Sequence, residues 1–155
     1  MKKSEDQIIY SPVKGSITSL SEVEDPMFRE EMLGKTICIQ PVNSMVYAPF
    51  DGKVSVMYPS GHAVGMTRSD GLEILIHVGI DTVELQGTGF YAQVKQQESV
   101  KKNTPLLKFD TSIIESRGYS SQIFIVFTNS KKFQFDVKTG REKDIRDILC
   151  YAEKL

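Results

Sequence analysis

The feature that most constrains this chain is its punctuation. Short runs of apolar, β-branched and aromatic residues recur along its whole length, and Gly, Pro, Asn, Asp or Ser separates them. Runs of that length and composition predict strands joined by turns. The candidates are Ile8–Tyr10, Gly15–Leu20, Thr36–Gln40, Met45–Ala48, Gly52–Tyr58, His62–Thr67, Leu72–Val78, Phe90–Ala92, Pro105–Phe109, Ile123–Thr128, Phe133–Val137 and Asp147–Tyr151. Many short strands predict an all-β sandwich or barrel rather than alternating α/β units.

Two brief helical turns interrupt the pattern. Asp25 is suited to cap the first, Pro26 to its first turn and Gly34 to the position past its end. The second spans Ser112–Arg117, with Thr111 or Asp110 as cap and Gly118 as stop. A weak internal repeat relates Tyr10-Ser11-Pro12-Val13-Lys14-Gly15-Ser16-Ile17 to Tyr47-Ala48-Pro49-Phe50-Asp51-Gly52-Lys53-Val54. Pro and Gly give both copies one strand–turn–strand unit, which suggests a duplicated hairpin. A chain of 155 residues with no low-complexity linker reads as one domain over its full length.

Composition narrows the function. The formal net charge is −1 and no long basic run is present, so neither nucleic acid nor an anionic membrane is the expected main partner. The N-terminus, Met1-Lys2-Lys3-Ser4-Glu5-Asp6-Gln7, mixes signs with no apolar stretch behind it, unlike a secretory signal. No segment reaches the ~20 apolar residues that span a bilayer. Cys38 and Cys150 lie far apart in apolar surroundings and read as buried thiols of a reducing compartment. The expected location is the cytoplasm.

His62 and His77 are the only histidines. Alternation along Leu72–Val78 sets Leu72, Ile74, Ile76 and Val78 on one face and His77, Leu75 and Glu73 on the other. His62 shares a face with Val64 and Met66. Arg68-Ser69-Asp70-Gly71 joins the two strands as a hairpin. A two-residue Asp70-Gly71 loop sets His62 opposite Gly79, diagonal to His77, and a four-residue loop sets His62 opposite His77. Both registers bring the rings to one face, within about 8 Å for a diagonal pair. A three-residue loop breaks this unless a bulge restores it.

Two adjacent imidazoles suit phosphoryl transfer. A neutral ring nitrogen is nucleophilic, and a pKa near 6.5 leaves it mostly unprotonated at pH 7. A hydrogen bond from the other nitrogen to a carbonyl fixes the tautomer, while the second histidine donates to the phosphoryl oxygens. Ser60 is spaced to orient that second ring, and apolar neighbours keep water away. The same pair could also hold Zn²⁺, but that needs a further ligand. Glu73 shares the face of His77 yet lies about 13 Å along the strand, so no metal is expected.

These residues resemble the glucose-type A component (EIIA) of the bacterial phosphoenolpyruvate-dependent sugar phosphotransferase system, from about Tyr10 to Asn129. The resemblance is carried by Ile74-Leu75-Ile76-His77-Val78-Gly79-Ile80-Asp81-Thr82-Val83-Glu84-Leu85, with Ser11-Pro12 and Gly15, Val23-Glu24-Asp25-Pro26-Met27-Phe28, Ala48-Pro49 and Gly52, and Pro59-Ser60-Gly61-His62-Ala63. It implies a flattened antiparallel β-sandwich of duplicated design. It also implies that His77 carries the phosphoryl group, His62 stabilises it, Ser60 bonds the His62 ring, and the Gly79 backbone accepts from the other nitrogen of His77. Asp25 and Asp81 flank the site, Phe28 and Tyr58 form its apolar rim, and Val83 joins them in binding partners. The implied donor is the histidine carrier HPr and the implied acceptor a cysteine of a sugar-specific EIIB domain, with no cofactor and with the membrane reached only through a permease. Departures fall elsewhere: Gly34-Lys35-Thr36 replaces the usual Gly-Asp-Gly, Val100-Lys101-Lys102-Asn103-Thr104 replaces a Gly-Asp turn, and Thr139–Arg146 fits the last hairpin poorly.

Rival readings lack their residues. A zinc peptidase needs a His-x-His pair and a further His. A biotinyl or lipoyl carrier needs a Lys in a tight hairpin, and Val13-Lys14-Gly15 fits the repeat better. Cys38 lies within an apolar strand, unlike the cysteine of a B component. A regulator whose phosphorylation state gates binding to target proteins, without sugar transport, is the remaining alternative.

Overall fold

The computed structural model describes residues 3–138 and 140–155. The readings that fall on Met1, Lys2 and Thr139 therefore lie outside the described residues. In chain order the elements are β1 (Ile8–Tyr10), β2 (Gly15–Thr18), α1 (Pro26–Arg29), β3 (Lys35–Pro41), β4 (Met45–Tyr47), β5 (Gly52–Met57), β6 (Ala63–Arg68), β7 (Glu73–Val78), β8 (Phe90–Ala92), β9 (Ser99–Val100), β10 (Pro105–Phe109), α2 (Thr111–Ser116), β11 (Ile123–Phe127), β12 (Phe133–Val137), β13 (Glu142–Lys143) and β14 (Ile148–Lys154). Leu20, read as the end of a strand, begins a 3-10 turn over Leu20–Glu22. The two-residue strands β9 and β13 are too short and too polar to show an alternation. Asp110 caps α2 by accepting from the Ile113 N–H at 3.0 Å. Asp25 caps α1, but the helix stops at Arg29, and Gly34 sits in the turn before β3 rather than at the helix end.

An eight-stranded antiparallel sheet runs β13-β2-β3-β11-β7-β6-β5-β9, and two three-stranded sheets run β1-β14-β12 and β4-β10-β8. The order is palindromic: β1, β2 and β3 correspond to β4, β5 and β6, while β7 through β10 correspond to β11 through β14. The sequence repeat marks this duplication. The Tyr10 N–H donates to Pro49 O at 2.9 Å, and the Tyr47 N–H donates to Pro12 O at 2.7 Å. Each copy thus closes the backbone of the other.

Strand β11 is buried at every residue because both of its faces are covered. Ile123, Ile125 and Phe127 join the main core with Leu72, Ile74, Ile76 and Val78. Phe124 and Val126 point the other way, into a smaller cluster with Val23, Phe28 and Cys38. The chain through Val23 and α1 therefore covers the outer face of the large sheet, beside the histidines.

The β6–β7 hairpin differs from both registers expected. Ala63, not His62, lies opposite His77, and Thr67 lies opposite Glu73. The loop has three residues, Ser69-Asp70-Gly71, with Gly71 at φ +96°. Such loops commonly end on a left-handed residue, so Asp-Gly serves here without forming a two-residue turn. The Asp70 carboxylate accepts twice from the Arg68 guanidinium, at 2.9 and 2.8 Å.

Candidate functional site

The even register would turn His62 away from His77 if its backbone continued the strand. It does not. Gly61 has φ +72° and β6 begins only at Ala63. Val64 and Met66 enter the main core as alternation requires, while the His62 ring lies 5.0 Å from the His77 ring, centroid to centroid, at 80°. The bend restores what the loop length would have removed. His62 still belongs to the ladder through its carbonyl, which accepts from the Val78 N–H at 2.9 Å.

His77 stands in one row of the sheet. Phe124 of β11 is its neighbour on one side and Ala63 of β6 on the other. Phe28 stacks on Phe124 with centroids 4.1 Å apart and 7° between planes. Its ring is 5.3 Å from that of His77. Phe28, read as part of the apolar rim, is only 2% exposed and forms the floor of the site. His62 is 3% exposed, and its ring meets Tyr58 edge-on at 5.3 Å and Phe90 at 6.4 Å.

The hydrogen bonds fix the roles of the ring nitrogens. His77 Nδ1 is 2.8 Å from the Gly79 carbonyl. A carbonyl only accepts, so Nδ1 carries the proton and Nε2 keeps its lone pair free. Gly79 has φ +79°, and a Cβ there would lie 2.5 Å from Ser120 O, so the acceptor needs glycine. Ser60 Oγ lies 2.5 Å from His62 Nδ1. When the hydroxyl donates, His62 presents an Nε2–H beside the nucleophile.

Electrostatics favour two neutral rings. Burial pushes His62 down to about 4, with the neighbouring His77 adding to the shift. Burial also lowers His77, while the Gly79 carbonyl, Asp25 and Asp81 act in the opposite direction. These carboxylates are thus close enough to stabilise positive charge on the His77 ring. Asp25 also accepts from the Met27 N–H at 2.9 Å, and Asp81 occupies the left-handed region at φ +60°. Met27, Tyr58 and Val83 are exposed by 37%, 37% and 51%. They add apolar surface near the acidic groups.

A cavity of about 850 Å³ lined by Asn43, Tyr91 and Lys108, and one of about 390 Å³ lined by Tyr10, Arg68 and Lys102, include neither histidine. Among the described residues no group of three His, Cys, Asp or Glu side chains is arranged to hold a metal. No helix of the described residues is long and apolar enough to cross a membrane. Burial pushes the Cys38 thiol up to about 12, which removes it as a nucleophile at neutral pH. Phe90 and Phe124 also build the site, as do Gln122, whose carbonyl accepts from the Gly79 N–H at 2.7 Å, and Thr82, whose hydroxyl donates to Val78 O, but nothing in their local sequence assigned them these roles. Lys35, which replaces the usual acid, lies over the Phe135 ring at 5.7 Å.

Residues 7–133 match the family described as phosphoenolpyruvate-dependent sugar phosphotransferase system, EIIA 1. The fold is similar to that of the glucose permease IIA from Mycoplasma capricolum, with a TM-score of 0.87 and 34% identity over 92% of this chain and 93% of that one. With an all-β antiparallel architecture, a family match over most of its length and this structural likeness, the chain belongs to the glucose-type EIIA family of the sugar phosphotransferase system, whose members are phosphoryl carriers.

Proposed function

We propose that this chain accepts a phosphoryl group from phospho-HPr on His77 Nε2 and delivers it to a cysteine of a sugar-specific EIIB domain in the cytoplasm. The supporting observation is the Nδ1–H bond of His77 to the Gly79 carbonyl, which leaves Nε2 as the only free nucleophile of that ring. In the first step the Nε2 lone pair attacks phosphorus, a P–N bond to His77 forms, and the donor's P–N bond breaks. Nδ1 keeps its proton, and the Gly79 carbonyl dipole and the nearby carboxylates favour the positive ring. His62 donates Nε2–H to the phosphoryl oxygens, with Ser60 holding its ring. In the second step a thiolate of the acceptor attacks, a P–S bond forms, and the P–N bond breaks.

The surroundings suit a protein donor better than a small one. The rings lie in an apolar patch flanked by Asp25 and Asp81, and Tyr58 and Val83 offer exposed apolar surface. Basic residues on a partner would meet these carboxylates and speed the encounter. The patch closes only when the partner covers it, which keeps water from the phosphoryl group.

Incubation with phosphoenolpyruvate, the general phosphotransferase enzyme and HPr should add one acid-labile phosphoryl group, read as intact mass. His77→Ala should add none. His62→Gln should still accept but lose most onward transfer to an EIIB domain, followed with labelled phosphate. Absence of uptake with active partners would overturn the carrier reading. Uptake without delivery to any EIIB domain would favour the regulatory alternative.

A further inference from the structure

The peptide that precedes the carbonyl setting the tautomer of His77 is itself held in position. The peptide joining Val78 to Gly79 is fixed at both ends. Its N–H donates to Gln122 O at 2.7 Å, and its carbonyl oxygen, Val78 O, accepts from the Thr82 hydroxyl at 2.5 Å. Thr82 is 0% exposed and opens the 3-10 turn Thr82–Leu85. Its methyl group fills the space that a residue-79 side chain would need, 2.4 Å from the position of a Cβ there. One side chain therefore shapes the turn in two ways, by a hydrogen bond and by packing.

We propose that Thr82 is a positioning residue for the His77 nucleophile: by fixing the Val78–Gly79 peptide plane, its hydroxyl anchors one side of the Gly79 turn, at φ +79°, and so sets the direction of the carbonyl in the next peptide, Gly79 O, toward Nδ1 and holds Nε2 unprotonated. The inference rests on the carrier reading of His77 but has a consequence independent of transfer. Without the hydroxyl, Val78 O loses its donor inside the protein, and an unpartnered buried carbonyl drives the peptide to rotate. The Gly79 carbonyl then leaves the line of Nδ1, the two neutral tautomers of His77 become closer in energy, and part of the population carries its proton on Nε2, where it cannot attack.

Three variants test this. Thr82→Val keeps the shape and removes the hydroxyl, Thr82→Ser keeps the hydroxyl and removes the methyl, and Thr82→Ala removes both and serves if Val does not fold. The tautomer of His77 is read from its ¹⁵N ring shifts, and phosphoryl acceptance from the rate of mass gain. The expected result is a wild-type pattern of protonated Nδ1 and bare Nε2, a mixed pattern in Thr82→Val or Thr82→Ala, and restoration in Thr82→Ser. Acceptance should fall roughly tenfold to a hundredfold without the hydroxyl, the scale of a misplaced reacting group. Wild-type nitrogen shifts in the folded Val or Ala variant would overturn the proposal, as would a Ser variant as impaired as Val. A wild-type protein that takes up no phosphoryl group would defeat the carrier reading alone, since the nitrogen shifts decide the role of Thr82 separately.

Discussion

At the scale of the residue, the site consists of two histidines that burial pushes toward the neutral form, with Asp25, Asp81 and the Gly79 carbonyl opposing the shift at His77 only. His62 is held neutral chiefly by burial, which pushes it down to about 4. Its pKa is depressed relative to the usual 6.5, so the unfolded chain binds the proton more tightly between those values. The contribution to stability is present above pH 6.5 and is lost as pH falls from 6.5 toward 4. The loss should amount to about 2–3 kcal/mol. Urea unfolding at pH 7.5 and pH 4.5 checks this by comparing wild type with His62→Gln. The wild type should lose that much more than the variant, and an equal loss in both would show that His62 is not the titrating group.

At the scale of the element, α1 is a single turn with a large effect on the site. It holds Phe28 between Phe124 and His77, and its N-terminus depends on the Asp25 cap. Asp25 also raises the His77 pKa, so its two roles can be separated. Asp25→Ala should cost about 1 kcal/mol through the lost cap, while Asp25→Asn, a competent cap, should cost a few tenths. Both should lower the His77 pKa by a similar amount, because both remove the charge. Urea midpoints and an NMR titration of His77 give the two readouts. Equal stability of the two variants would show that the cap contributes nothing.

At the scale of the molecule, the duplicated halves share one core. Strand β14 lies between β1 and β12, and its Leu149, Cys150 and Ala152 are fully buried in the main cluster. The Ala152 carbonyl accepts from the Arg68 guanidinium at 2.8 Å, which ties β14 to the hairpin that carries His77. The chain should therefore unfold as one unit. Leu149→Ala should cost about 2–5 kcal/mol, with coincident urea transitions for tyrosine fluorescence and the His77 ring signals. Separate transitions would divide the chain into independent parts.

Much of this architecture was legible from local patterns. The boundaries of β1, β8, β10 and β12 follow from composition and turn residues, as does the Asp25 cap of α1, because propensity and capping act over a few neighbours, while local sequence leaves the cap of α2 between Asp110 and Thr111. The Tyr-x-Pro-x-x-Gly repeat announced the duplication for the same reason. The pairing of the histidines was anticipated for a cause that does not operate here: alternation describes extended backbone only, and Gly61 bends the chain before His62 reaches the strand. The hairpin loop length, the burial of Phe28 under His77 and the grip of Thr82 on Val78 are decided by contacts between distant segments. The amino-acid sequence by itself determined most of the strands, the positions of the turns between them and the residues able to carry the chemistry. Only the tertiary structure decided which way the His62 ring faces and which groups hold the Gly79 carbonyl, because those depend on the packing of β11, α1 and the 3-10 turn around a single row of the sheet.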